Sequence, residues 1–66
     1  NLKNYSGAIL DYTKAIEINP KNDFFYIQRG LVKLILEQKD SACLDFSKAG
    51  KLGNEDASEF IKKYCN

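Results

Sequence analysis

Ala8-Ile9-Leu10-Asp11-Tyr12-Thr13-Lys14-Ala15 returns further along the chain as Ala42-Cys43-Leu44-Asp45-Phe46-Ser47-Lys48-Ala49, with the same offset at every position. Five of the eight positions are identical, and Tyr12/Phe46 and Thr13/Ser47 are conservative exchanges. A fixed offset of this size marks a stack of helix pairs, each unable to bury its apolar face alone. The spacing inside each copy is helical rather than alternating, so the unit is built from helices.

Outward from the first copy, Tyr5, Ala8, Ile9, Tyr12, Ala15 and Ile16 fall at steps of three and four and share a helix face. Asn4 suits the N-cap, and Pro20 ends the segment because the residue before a proline leaves helical geometry. A second helix is expected from Asn22 or Asp23 through Tyr26, Ile27, Gly30, Leu31, Leu34 and Ile35 to about Gln38. Asp40 or Ser41 is the expected cap of a third helix, which Gly50 and Gly53 loosen and stop. Asn54 is the expected cap of a last helix bearing Ala57, Phe60, Ile61 and Tyr64. The reading is all-α, about four helices, with short connections that fold consecutive helices into antiparallel hairpins.

Bulk properties narrow the chemistry. The 66 residues allow one domain with a marginal core. Ten basic and nine acidic side chains nearly cancel, which gives no electrostatic basis for nucleic acid or an anionic membrane as partner. Apolar runs such as Leu34–Leu36 are far too short to span a bilayer. Histidine is absent and there are two cysteines, so no metal site, cofactor or catalytic set is expected. Glu55, Asp56 and Glu59 could suggest acid–base work, but they start a helix, where the dipole favours them. Lys62 and Lys63 read as a solvated helix end.

Glycine inside a helix costs about 1 kcal/mol relative to alanine, so Gly30 needs a compensating role. Gly30 and Ala42 lack bulk and let paired helices approach, while Tyr26 and Phe46 fill the crossing. These residues are expected to be core and spacing positions, not ligands.

The chain resembles the tetratricopeptide family over about residues 5–50, and the offset between its two copies is that family's repeat length. Ala8, Tyr12, Ala15 and Pro20 look like the second helix of one repeat. Tyr26 and Gly30 look like the first helix of the next, with Ala42, Phe46 and Ala49 in its second. The resemblance implies a TPR-like α-solenoid with residues 1–20 as the second helix of a truncated repeat, 22–53 as a complete repeat and 54–66 as a capping helix. Leu2-Lys3-Asn4 then looks like a turn after a helix that is not present, and Lys62, Lys63 and Asn66 favour a closing end. Arg29 departs from the family's usual leucine, which makes it either solvent-facing or paired. The stretch Gly50, Gly53 and Asn54 departs from the proline-ended first copy.

The resemblance further implies a non-catalytic interaction module with a concave groove. Its positions would be Phe24, Ile27, Leu31, Leu34 and Ile35, with Lys21 and Asn22 at the rim. Ile27 and Leu31 stand where a carboxylate-binding clamp needs polar groups, so an apolar peptide, a partner protein or another copy is the expected ligand. Against this, Leu34 and Ile35 could simply pack on a neighbouring element. A structural C-terminal cap of a longer array, self-associating and without its own ligand, is the alternative. The face of Tyr5, Ala8, Tyr12 and Ala15 is expected to be covered by homo-oligomerisation, since wetting it is unfavourable by about 25 cal/mol per Å².

Cys43 and Cys65 flank the turn near Gly53 at similar distances, which brings them level in an antiparallel pair. They either form a bridge or leave Cys43, the counterpart of Ile9, as a buried apolar thiol. A bridge implies a periplasmic or secreted setting; its absence implies the cytoplasm.

Overall fold

Helix starts in the computed structural model, which describes residues 4–65, keep the period of the sequence. Helices α1 (Tyr5–Ile18) and α3 (Lys39–Lys51) begin as far apart as Ala8 and Ala42. The same separation divides the starts of α2 (Asp23–Ile35) and α4 (Ala57–Tyr64). The expected turn at Leu2-Lys3 and the polar end at Asn66 lie outside the described residues.

Each helix packs on its chain neighbour: α1 on α2, α2 on α3, α3 on α4. Contacts between α2 and α3 run in opposite directions. Lys33 meets Ser41 next to the connection, and one turn further out Arg29 meets Asp45. The same crossing pattern joins α3 to α4, with Gly50 against Ala57 at one end and Cys43 against Cys65 at the other. Both pairs are therefore antiparallel.

The core centres on α3. Ala42, Phe46 and Ala49 are fully buried between Tyr26 and Ile27 of α2 and Ala57 of α4. Phe46 stacks on Phe60 at 5.3 Å between centroids, and Tyr64 extends the aromatic column. Helix α1 has no buried residue and joins the core through the half-buried Ile16.

Helix ends differ in part from expectation. Asn4 and Asn22 cap α1 and α2 as expected, each accepting a backbone N–H, from Gly7 and Phe24 respectively. Helix α3 starts at Lys39 with Gln38 as N-cap, not at Asp40 or Ser41. The cause is the way α2 stops. Glu37 N–H donates to Leu34 and Gln38 N–H to Lys33, a Schellman closure that frees the chain to re-enter a helix at once. Ser41 is then available to accept from Lys33 Nζ. Helix α3 closes the same way, through Gly53 to Gly50 and Asn54 to Ala49, with Gly53 at φ +101°. Helix α4 starts at Ala57, with Asp56 at the N-cap position but no side-chain bond to the helix end, later than Asn54 suggested. The Asn54 carboxamide accepts from Asp56 N–H and donates to Asp23, so it organises the turn and ties it to the start of α2.

Candidate functional site

The groove residues expected from the sequence divide into two sets. Phe24 and Ile35 are exposed, at 54% and 55%. Helical spacing puts them in one row with Gln28 and Leu31, which are half-buried. Leu31 and Leu34 are both partly buried and pack on the core. Ile27 must be removed from the groove: at 6% exposure it belongs to the core, because its position faces inward toward the crossing of α2 with its neighbours. Lys21 and Asn22 are exposed and border a shallow depression with Ile18, Pro20 and Asp23 at the α1–α2 turn. The Asn22 side-chain oxygen is already committed to the cap of α2.

On α1, Tyr5, Ala8, Tyr12 and Ala15 are all half-buried. Tyr12 leans on Phe25 of α2, 6.4 Å between ring centroids, so that face is partly covered from within the chain. Cys43 and Cys65 are bonded to each other, with Cα atoms 5.9 Å apart, and both are half-buried. Of the two arrangements open in the sequence, the staple between α3 and α4 is the one formed.

Of the two states open to Arg29 in the sequence it is the paired one that forms, in a polar cluster whose other members the sequence did not indicate. Asp45 is 4% exposed and accepts from Arg29 Nε at 2.9 Å and Nη2 at 2.7 Å, while Lys33 Nζ lies 3.0 Å away. Arg29 Nη1 donates to Thr13 Oγ1 at 3.1 Å, and the Thr13 hydroxyl donates to Ile9 C=O. The Tyr26 ring lies 5.7 Å from the Arg29 guanidinium carbon. A planar fork matched to a carboxylate explains how arginine is held at this half-buried position. The available signal was the unexplained Arg29, placed four residues before Lys33 on one helix face.

The Asp45 hydrogen bond holds the Arg29 guanidinium pKa above its ordinary value, against the opposing effect of burial. A raised folded-state pKa means the stabilisation is fully present below the unfolded-state value. It is lost only as pH climbs through the folded value, far above neutrality. The fork therefore stays charged throughout the ordinary working range.

In comparisons with known proteins, no family model matches the chain, and neither a curated protein nor a solved structure matches it. Among the described residues, no group of three or more His, Cys, Asp or Glu is placed to hold a metal ion. No described helix is long and apolar enough to cross a membrane.

Proposed function

We propose that this chain is a non-catalytic interaction module of the tetratricopeptide type, binding an apolar peptide or partner protein along α2. One observation carries the reading. Phe24 and Ile35 remain exposed at opposite ends of a helix that buries Tyr26 and Ile27 on its other side. Two large apolar side chains left in water on one helix row are unfavourable for a free monomer and suit a ligand that covers them. With Leu31 between them, these anchors fit an extended or helical apolar segment. The Cys43–Cys65 bridge fits work in an oxidising compartment.

A random peptide library selected on the protein tests this. Apolar peptides should enrich, and a Phe24→Ser/Ile35→Ser variant should bind them about tenfold or more weakly, as loss of a binding anchor implies. Enriched peptides that bind this variant equally well would remove α2 as the binding face.

A second reading, α4 as a cap that closes the stack, has its own support. Gly30 admits the Phe46 ring so closely that an added Cβ would lie 2.6 Å from Cε1. Tyr64 stands one repeat after Gly30, so a helix docking on α4 as α3 docks on α2 would meet that ring. The other flank of α4 carries Ser58, Glu59, Lys62 and Lys63, all exposed. Binding along α2 and capping by α4 are compatible.

A further inference from the structure

The second copy of the octapeptide is joined to its following helix by sulfur, and the first is not. Cys43 of α3 bonds to Cys65 of α4, while the positions one repeat earlier are Ile9 of α1 and Leu31 of α2. Both of these are half-buried apolar side chains, and α1 packs on α2 without a bridge. A covalent join has been added to α4 alone.

The other attachments of α4 are modest. It has eight residues and packs chiefly on α3. A helix of that length has no independent stability in water. Beside the turn Ala57 meets Gly50, and further along Phe60 and Tyr64 lie on Phe46. The bridge closes the end of the hairpin opposite the turn, at the C-cap of α4. Both cysteines are half-buried, which leaves them within reach of a small thiol. Helices α1, α2 and α3 are held separately, since Arg29 of α2 bonds to Thr13 of α1 and to Asp45 of α3.

We propose that the Cys43–Cys65 bridge is a redox gate: its reduction by a dithiol releases α4 from α3 while α1, α2 and α3 stay assembled. A thiolate of the dithiol attacks one bridge sulfur, the S–S bond breaks, and a mixed disulfide forms. The second thiol of the reductant then displaces the protein sulfur and closes a disulfide within the reductant. Two electrons and two protons pass to the protein, and Cys43 and Cys65 emerge as thiols. Losing a link across 22 residues weakens the docking of α4 about a hundredfold. The released form puts Phe60, Tyr64 and one flank of Phe46 in water, an apolar surface that the bridged form conceals. The gate does not depend on what α2 binds.

The test is hydrogen exchange on the full chain before and after dithiothreitol, without denaturant, with a thiol count showing both cysteines reduced. Amides of α4 should exchange about a hundredfold faster after reduction, while those of α2 stay protected. Reoxidation should restore the first pattern. Cys43→Ala/Cys65→Ala should show the reduced pattern and no response to dithiothreitol. Three results would overturn the proposal. They are a bridge that dithiothreitol cannot reach until the fold is denatured, α4 amides unchanged on full reduction, and protection lost from α2 together with α4.

Discussion

Asp45 sits beneath α2 with a bidentate arginine and a lysine around its carboxylate, and taking away the arginine would leave much of that charge uncompensated. Arg29→Leu is expected to destabilise the fold by about 3 kcal/mol, measured by urea unfolding. The double change Arg29→Leu/Asp45→Leu should cost much less, because no buried charge is then stranded. Gly30→Ala tests the close approach. In an open helix the change stabilises by about 1 kcal/mol. Here the new Cβ would lie 2.6 Å from a fully buried ring, so the sign reverses to a loss of about 1–3 kcal/mol. Phe46→Leu in the same chain should recover part of that loss. The role of Gly30 was legible because a helical glycine needs a reason. The burial of Asp45 was not, since Asp11 is the same residue in the same octapeptide and is exposed. Burial depends on what lies across the crossing, which local pattern does not encode.

Helix ends follow rules that the sequence displays unequally. Glu37 occupies the left-handed position of the α2 closure at φ +61°, the place that Gly53 fills at the end of α3. A side chain with a Cβ is strained there, so Glu37→Gly should raise stability by about 0.5–1 kcal/mol, read as a higher midpoint in urea with an unchanged slope. Nothing in the local residues marks Glu37 as a helix stop, which is why α3 starts earlier than its own residues suggest. Gly53 announced its role, as did Asn4 and Asn22, whose side-chain oxygens each take a cap N–H. Asn54 misled because its side chain serves the turn and Asp23 at once. The Cys43–Cys65 staple spans 22 residues of sequence, and Cys43→Ser/Cys65→Ser should lower stability by about 3 kcal/mol. Hydrogen exchange should show that loss first in α4, which has only eight residues and packs chiefly on α3.

At the scale of the molecule, the repeat period was the most legible feature, because it needs only self-comparison and survives in the helix starts. Which faces stay open was less legible: the family resemblance made Ile27 a groove position, and it is core in three dimensions. Ending the chain after Gly53 would uncover Phe46, Ala49 and the remainder of the α3 face. The truncated protein is expected to bind a hydrophobic dye and to aggregate at concentrations where the intact chain stays dispersed. The fork of Arg29 has a consequence at this scale too. It rises from α2 and reaches Thr13 on α1 with one nitrogen and Asp45 on α3 with the other two. Neighbouring helices that touch only through oily side chains can slip a little past each other at small cost, whereas a flat group pinned at three points cannot follow such a slip. The relative height of the first three rods is thus latched by one side chain, and with it the tilt at which further rods would be laid alongside.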